Sequence, residues 1–318
     1  MRVVVTGASG FVGGAVLRSL RERGHEVIGL SRRGPDLSWD ITSGALSRAP
    51  AADAVVHCAA LVRDGRMQPA YHAVNVEGTR NVLTSFPRAR IVHMSSASVY
   101  DPWVPKDRVS ENALPPRRWL NGYGETKWAA EELVVRLRPD GVILRPHAVY
   151  GPGDTTLLPR IVRARVAGRQ LAIGDGSNLI TLTAIANLVD AVAASLDRPG
   201  ASGPFNVGDP DTPTVADVFE HLLRSLGLPV SITWIRRSVA WRAAMVSERL
   251  AGPREPRLSR YAVNQMSLTC TLGLDRARRE LGWEPKQSYR SAFAALTHAQ
   301  PLVGPSLGVS LPLGCSQD

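Results

Sequence analysis

The sequence predicts an α/β fold: a doubly wound parallel sheet with a second, smaller lobe toward the carboxyl terminus. Short runs rich in valine and isoleucine are apolar almost throughout, as is typical of strands buried on both faces. They are residues 2–7, 26–31, 53–60, 89–96 and 141–146. Longer amphipathic segments such as 11–24 and 125–139 separate them, and strand alternating with helix gives a parallel sheet covered on both sides. After about residue 155 prolines and glycines punctuate smaller elements.

Composition narrows the class of protein. A chain of 318 residues that is 44% hydrophobic and 21% charged has the size of one large or two smaller globular domains. Cys58, Cys270 and Cys315 are odd in number and lack paired spacing, which argues against a disulfide framework and for a reducing compartment. The 7 histidines are scattered, so no structural metal is predicted.

The net charge of +10 raises the question of nucleic acid. The arginines are spread among acidic residues, apart from a local cluster between Arg249 and Arg260, and no zinc-finger or RNA-recognition signature accompanies them. We therefore expect no nucleic-acid partner. A basic surface that attracts phosphorylated small molecules accounts for the charge.

Neither of the two most apolar stretches predicts a membrane or export segment. Glycine, serine and threonine interrupt the amino-terminal run at once, so a strand and turn fit better than a signal peptide. The stretch 179–196 contains Asn187 and Asp190 and is too polar for a membrane span. A cytoplasmic location is predicted.

A glycine-rich turn follows the first apolar run. In "VTGASGFVGGAV", Gly7, Gly10 and Gly13 lie between the first strand and the first helix. Glycine there permits a tight turn and a close backbone approach to a pyrophosphate, which the helix N-terminus attracts. The turn predicts a dinucleotide site that includes Phe11 and Val12, where the helix opens.

The residues at the end of the second strand indicate which dinucleotide the site binds. An NAD site offers a carboxylate there for the ribose 2′-hydroxyl, whereas this chain has Ser31, Arg32 and Arg33. Guanidinium groups suit a 2′-phosphate, so NADP(H) is favoured, with NAD(H) as the alternative. Asp40, followed by Ile41, is a candidate for binding the adenine amino group, or equally a helix cap.

The stretch "NGYGETKW" places Tyr123 four residues before Lys127. Residues i and i+4 share one helix face, so the phenol and the ammonium can serve one site. Taken alone, the pair reads as a solvated surface feature.

Six ordered motifs change that interpretation. They are "TGASGFVG", "DAVVHCAA", "NVEGTRN", "SSASVY", "YGETK" and "LRPHAVYGPGD". In this order they resemble the extended short-chain dehydrogenase/reductase family, also called the NAD-dependent epimerase/dehydratase superfamily, over roughly residues 1 to 295. The resemblance implies catalysis by Ser96, Tyr123 and Lys127 at the nicotinamide end of the cofactor.

Physical chemistry agrees with those roles. A phenol with a reference pKa near 10 exchanges protons poorly at neutral pH, so we expect Lys127 to stabilise the phenolate of Tyr123. Tyr123 would protonate a carbonyl oxygen during reduction or deprotonate an alcohol during oxidation. Ser96 would hydrogen bond the same oxygen; Ser95 is the rival, but the family pattern Ser-x-x-Val-Tyr selects Ser96.

The resemblance implies further cofactor contacts. Cys58, Ala59 and Ala60 would lie beside the cofactor, and Asn75 would contact it or else stabilise a turn. Pro146 and His147 would follow the strand that walls the nicotinamide; no proton-transfer role is assigned to His147.

Substrate signals lie further along the chain. Family members that act on nucleotide sugars usually carry asparagine where this chain has Ala148. Segments 158–192 and 260–293 resemble the 3β-hydroxysteroid dehydrogenase and sterol-decarboxylating branch, which implies a bulky apolar alcohol or ketone. Between them, 232–252 carries a stripe that is usually core, or otherwise a hydrophobic lid or a surface resting against apolar substrate or membrane. The stripe residues are Trp234, Trp241, Met245 and Leu250.

These observations divide the chain and leave three functions open. We expect a dinucleotide-binding domain over 1–154 with a returning segment at about 179–207, a substrate lobe over 155–178 and 208–298, and a mobile tail over 299–318. The leading function is an NADP(H)-dependent oxidoreductase for a bulky apolar alcohol or ketone, with homodimerisation implied by resemblance. The alternatives are a nucleotide-sugar epimerase, dehydratase or reductase, and a catalytically silent dinucleotide-sensing regulator.

Overall fold

The computed structural model describes residues 1–64, 68–252 and 254–296. Numbered along the chain, its strands are β1 (Arg2–Thr6), β2 (Glu26–Ser31), β3 (Leu37–Ser38), β4 (Ala54–His57), β5 (Arg90–Met94), β6 (Lys106–Val109), β7 (Val142–Pro146), β8 (Val149–Tyr150), β9 (Arg165–Val166), β10 (Arg169–Ile173), β11 (Thr183–Ala184), β12 (Gly203–Val207), β13 (Ile232–Ile235) and β14 (Cys270–Leu272). Its α-helices are α1 (Phe11–Glu22), α2 (Pro69–His72), α3 (Gly78–Ser85), α4 (Gly122–Leu137), α5 (Leu157–Arg163), α6 (Ile185–Asp197), α7 (Val215–Ser225), α8 (Arg237–Ala251), α9 (Arg260–Ser267) and α10 (Tyr289–Leu296).

A parallel sheet of 7 strands forms the centre of the described chain, in the order β3, β2, β1, β4, β5, β7, β12. The strand order runs outward in both directions from β1. A crevice therefore opens beyond the carboxyl ends of β1 and β4, which is where ligands bind in open α/β sheets. The predicted doubly wound fold is confirmed.

Both faces of the sheet are buried, which explains the continuous apolar runs. Val3 and Val5 of β1 join a core that includes residues of α1 and α6, whereas Val4 joins a separate core with residues of α3 and α4. A strand with helices on both sides has no solvent face, so alternation of polar and apolar residues disappears. These two cores, one on each face of the sheet, hold the carboxyl ends of the strands in fixed register.

A second sheet of 3 strands, in the order β13, β10, β9, lies in the carboxyl-terminal half of the chain and packs with helices α7, α8 and α9. The residues of the predicted apolar stripe are divided between this sheet and α8. Trp234 lies on β13 and packs into core against α7, whereas Trp241, Met245 and Leu250 lie on α8. Trp241 is half-buried and meets Trp103 at 6.0 Å between ring centroids. Met245 is 41% exposed and Leu250 is 83% exposed, so the stripe is core only in part.

The segment 179–207 supplies α6, which packs against α1, and β12, the last strand on one side of the central sheet. The division into a cofactor domain and a substrate lobe stays a prediction. The tail 299–318, with Cys315, lies outside the described residues. Cys58 and Cys270 are free thiols.

The described ranges lack both a membrane-spanning helix and a cluster of metal-ligating side chains. None of their helices combines the length and the apolar character that crossing a membrane requires. Nor do three or more histidine, cysteine or acidic side chains gather there as a set that could hold a metal ion.

Candidate active site

The predicted site residues follow the carboxyl ends of the central strands. Gly7 follows β1, Arg32 follows β2, Cys58 follows β4, Ser96 comes shortly after β5, and His147 follows β7. Because these strands are parallel neighbours, their carboxyl ends lie at one edge of the sheet. The fold thus gathers at this edge residues that are far apart in sequence.

The turn after β1 fits a dinucleotide. Gly7 has φ +71°, a left-handed conformation, and a Cβ there would lie 2.7 Å from the backbone nitrogen of Ala59. The Gly10 amide donates to the Gly7 carbonyl at 2.9 Å, which closes the turn just before α1 begins at Phe11. Val12 follows inside the first turn of α1. Backbone amides at a helix N-terminus, uncovered by side chains, form a cradle suited to a pyrophosphate.

Substitution of Gly13 by alanine should damage this turn. A Cβ at Gly13 would lie 2.2 Å from the carbonyl oxygen of Gly7, so the backbone itself has to move. We expect Gly13→Ala to lower the free energy of unfolding by about 1–3 kcal/mol. We also expect NADPH affinity to fall, measured by fluorescence titration.

Gly14 provides the matched control. A Cβ there meets the Ala8 carbonyl oxygen at 3.3 Å, a contact that a few tenths of an ångström relieve. Gly14→Ala should therefore stay within about 1 kcal/mol of the wild-type stability and keep its cofactor affinity. Equal losses in both variants would contradict a specific role of the turn.

The end of β2 offers two cations and a buried hydroxyl. Arg32 and Arg33 are exposed, and neither forms an ion pair within the described residues. The Ser31 hydroxyl beside them is buried without a hydrogen-bond partner there. A buried polar atom without a partner is costly, so this position suits a ligand oxygen. Asp36, which the sequence analysis did not consider, accepts hydrogen bonds from the Gly29 amide and from Arg21 at 2.6 Å each.

Asp40 acts as a helix cap. Its Oδ1 accepts from the Thr42 amide at 2.9 Å and the Thr42 hydroxyl at 2.8 Å, which holds the pKa of Asp40 below its usual value. It caps a 3₁₀ helix at 41–43. Ile41 is buried at the start of that helix, in the same core as α3. Binding of adenine by Asp40 stays a prediction.

After β4, residues Cys58 to Ala60 lie next to the glycine turn, and the Ala59 amide donates to the Thr6 hydroxyl at 3.3 Å. Burial raises the pKa of the Cys58 thiol to about 12, so it is not a nucleophile at neutral pH. Asn75 is buried and pairs with the backbone of Leu61, accepting from its amide at 2.7 Å and donating to its carbonyl at 3.2 Å. Asn75 therefore fixes this loop.

Tyr123 and Lys127 lie at the start of α4. The Asn121 side chain accepts from the Gly124 amide at 3.0 Å and caps the helix. A Cβ at Gly124 would lie 2.5 Å from the Ser98 carbonyl oxygen, so the helix start packs directly against the segment after β5. Tyr123 and Lys127, one turn apart, share the face that meets this segment.

The electrostatics of this pair differ from the expectation. Burial raises the pKa of Tyr123 to about 12, opposed in part by a hydrogen bond from Ser96. Lys127 is only 3% exposed; burial lowers its pKa to about 8, and its ammonium donates to the Met94 carbonyl at 2.6 Å. In the protein alone, burial keeps the pKa of the Tyr123 phenol above its usual value, and the expected lowering by Lys127 is not found. The phenol is therefore protonated at neutral pH.

Ser95 and Ser96 have different surroundings. The Ser95 hydroxyl is buried and donates to Glu131, which also forms a buried ion pair with Arg145 at 2.5 Å. Ser96 instead faces Tyr123 and accepts from the Ser98 amide at 3.2 Å. The structure thus gives Ser95 a supporting role under the site and leaves Ser96 beside the phenol.

Beyond β7, which ends at Pro146, His147 is buried. Its Nδ1 meets the Thr181 carbonyl at 2.8 Å and its Nε2 meets the Gln265 side chain at 3.0 Å. Ala148 follows with φ +46°, a left-handed conformation that residues with a Cβ rarely adopt.

Tyr261 and Gln265 are site residues that the sequence analysis missed. Both lie on α9, and the Tyr261 hydroxyl is 2.5 Å from that of Ser98. Tyr261 is 163 residues from Ser98 in sequence, so no local pattern marks either residue as part of the site. Only the packing of α9 against the carboxyl edge reveals them.

The chain is similar in sequence to a known protein family and to characterised oxidoreductases. The NAD dependent epimerase/dehydratase family model matches residues 3–208. The chain is 29% identical over 324 residues to the 2-alkyl-3-oxoalkanoate reductase of Stenotrophomonas maltophilia (strain K279a), covering 93% of this chain and 98% of that protein. It is 27% identical to the 3-beta-hydroxysteroid dehydrogenase of Mycolicibacterium neoaurum, covering 92% and 89%.

The fold matches the crystal structure of UDP-glucuronic acid 4-epimerase from Bacillus cereus in complex with NAD with a TM-score of 0.72. The two are 20% identical, over 93% of this chain and 97% of that one, so this likeness concerns the fold alone. The curated relatives confirm the predicted oxidoreductase, and a nicotinamide dinucleotide is its cofactor class. As its motifs predicted, the chain belongs to the NAD dependent epimerase/dehydratase family.

Proposed function

We propose that the protein is an NADP(H)-dependent ketoreductase or dehydrogenase acting on a bulky apolar ketone or secondary alcohol. The observation that carries the proposal is the meeting of Ser96, Tyr123 and Lys127 beside the glycine turn at one sheet edge. A dinucleotide-sensing regulator has no need of these three groups together. The names of the reductase and steroid dehydrogenase relatives support an apolar substrate.

In this mechanism Tyr123 is the proton donor. Its raised pKa keeps the phenol protonated at neutral pH, the form that gives a proton to a carbonyl oxygen during reduction. Ser96 hydrogen bonds the same oxygen as negative charge develops on it. Lys127 supplies positive charge beneath the site. When bound, the nicotinamide supplies or accepts the hydride.

The glycine turn and residues 58–60 would hold the cofactor, with Arg32, Arg33 and Ser31 around a 2′-phosphate. Two exposed guanidinium groups and an unpaired buried hydroxyl favour NADP(H) over NAD(H).

Replacing Arg32 and Arg33 together with alanine should therefore weaken NADPH selectively. Loss of charge-assisted hydrogen bonds should raise the NADPH dissociation constant about tenfold to a hundredfold. The NADH constant should change by less than about twofold, because NADH carries no 2′-phosphate for the guanidinium groups to bind.

Fluorescence titration with both cofactors measures the difference. Arg88→Ala, an exposed arginine before the amino end of β5, is the matched control and should change neither constant. Equal weakening of NADH and NADPH would refute the 2′-phosphate role.

Absorbance at the nicotinamide band tests the reaction. NADPH oxidation and NADP reduction are followed with a 2-alkyl-3-oxoalkanoate ester, a 3-oxosteroid, a sterol and UDP-glucose. Turnover of an apolar ketone or alcohol supports the proposal. Turnover of the nucleotide sugar alone favours the epimerase, dehydratase or reductase alternative, and tight cofactor binding without turnover favours the regulator.

The homodimer implied by the family resemblance and the cytoplasmic location predicted from the apolar stretches both stay predictions. Exposed apolar side chains on α4, Val135 and Leu137, are consistent with a helix-mediated dimer. Light scattering on the purified protein measures its mass in solution, and the mass of a single chain would exclude the dimer.

A further inference from the structure

A continuous series of hydrogen bonds links the second lobe to the catalytic serine. Gln265 contacts His147 Nε2 at 3.0 Å and the Tyr261 hydroxyl at 2.9 Å. Tyr261 contacts the Ser98 hydroxyl at 2.5 Å, and Ser98 contacts the Ser96 hydroxyl at 2.9 Å. We call these side chains, from His147 to Ser96, the α9 relay. The donors and acceptors at its His147 end determine in which direction its hydrogen bonds run.

His147 sets the direction at one end. Its Nδ1 faces the Thr181 carbonyl at 2.8 Å, and a carbonyl only accepts, so Nδ1 carries the ring proton. Burial opposes charging of His147, whereas contacts with the Cys270 thiol and the Thr181 carbonyl raise its pKa overall; in the neutral imidazole Nε2 is then an acceptor. Gln265 must therefore present its amide nitrogen to His147, and the second proton of the same nitrogen points at Tyr261.

The hydroxyl groups continue this direction. Because Tyr261 accepts from Gln265, its own proton is satisfied by donating to Ser98. Ser98 in turn donates to Ser96, whose oxygen also accepts from the Ser98 amide at 3.2 Å. This arrangement leaves no hydroxyl proton of the relay without an acceptor. The proton of Ser96 then remains free to point away from the relay, toward Tyr123 and the reacting oxygen.

We propose that Tyr261 and Gln265 are positioning residues that hold the Ser96 hydroxyl as a hydrogen-bond donor toward the reacting oxygen. The inference rests on the proposed ketoreductase function and adds a contribution of the second lobe to it. The hydrogen bond by which Ser96 lowers the pKa of the Tyr123 phenol agrees with a donating serine. The relay prevents the opposite orientation, in which Ser96 donates to Ser98 and offers the substrate only lone pairs.

The variants Gln265→Glu and Gln265→Leu distinguish a role of Gln265 in orienting the Ser96 hydroxyl from a role in packing alone. A carboxylate only accepts, so glutamate should draw the Tyr261 proton toward itself and reverse the relay. We expect Gln265→Glu to lower kcat about a hundredfold and Gln265→Leu or Tyr261→Phe about tenfold, each with little change in KM. If Gln265 only fills space, the nearly isosteric glutamate should be tolerated better than leucine, and that order would overturn the proposal.

Ser267→Ala is the matched control, since this hydroxyl on the same helix donates to the Val263 carbonyl and lies outside the relay. It should keep wild-type kcat and KM. An equal loss of kcat in Ser267→Ala would show that any change on α9 has this effect and would overturn the proposal.

A second measurement does not depend on turnover. In protein with ¹⁵N-labelled histidine, the His147 signals are assigned by their absence in His147→Gln. The relay requires a protonated Nδ1 and an unprotonated Nε2 in the wild type, and a protonated Nε2 in Gln265→Glu. A wild-type His147 protonated on Nε2 refutes the inferred direction even if ketones are reduced. The expected tautomer in a protein that reduces none of the ketones supports the direction and refutes only the proposed function.

Discussion

Tyr123→Phe should reduce kcat for an apolar ketone by about a thousandfold while the protein still folds and binds NADPH. The substitution removes one hydroxyl and keeps the ring. Ser96 and Lys127 remain in place, so hydrogen bonding of the reacting oxygen continues but the protonated phenol that serves as its proton source is gone. Steady-state kinetics at the nicotinamide band measures the loss, and fluorescence titration checks that cofactor affinity is unchanged.

Tyr289→Phe is the matched control for this experiment. Tyr289 is 2% exposed and lies on α10, where its ring packs with Phe293 in a core cluster that contains none of Ser96, Tyr123 and Lys127. Removing its hydroxyl should leave kcat at the wild-type value. A Tyr123→Phe protein that keeps more than about a tenth of wild-type kcat would exclude the tyrosine as a general acid.

Arg145→Met should lower the free energy of unfolding by about 3–5 kcal/mol. The Arg145 side chain is 3% exposed and its partner Glu131 is 4% exposed, so the change leaves a carboxylate in the interior without its counter-ion. Arg145 also donates to the Tyr100 hydroxyl at 3.1 Å and to the Glu111 carbonyl at 3.0 Å. Urea unfolding followed by circular dichroism measures the loss.

Two further variants serve as controls for the unfolding free energy of Arg145→Met. Arg224→Met breaks the exposed pair with Glu220 and should cost less than about 1 kcal/mol. The double variant Arg145→Met with Glu131→Leu removes both buried charges and should recover part of the stability lost in the single variant. No recovery would mean that the other hydrogen bonds of Arg145, and not the buried charge, set the cost.

The sheet, the glycine turn and the spacing of Tyr123 and Lys127 are readable from sequence because their signals are local, whereas the proposed catalytic roles came from the family resemblance. Continuous apolar runs mark strands buried on both sides, Gly7 to Gly13 mark a tight turn, and Tyr123 and Lys127 are one helical turn apart. Each pattern depends on neighbours within a few residues. The fold then brings these local features together because parallel strands end at the same edge.

The remaining features depend on contacts between distant segments. Tyr261 and Gln265 reach the site only because α9 packs over it, and Trp234 separates from Trp241 because a strand ends between them. The high pKa of Tyr123 follows from burial, which no spacing of charged residues in the sequence reveals. Sequence patterns identify which side chains are present. Their protonation states, and the direction of the hydrogen bonds between them, depend on how the interior packs.

The left-handed backbone at Ala148 bears on how this scaffold could change its substrate. Nucleotide-sugar members of the family usually have asparagine at this position, and asparagine is among the residues that tolerate this conformation best. The main chain here already has the shape that the other side chain prefers. Substitution of Ala148 by asparagine therefore fits the existing backbone without rebuilding the loop, so at this position only the side chain, and not the fold, stands between the two residue types.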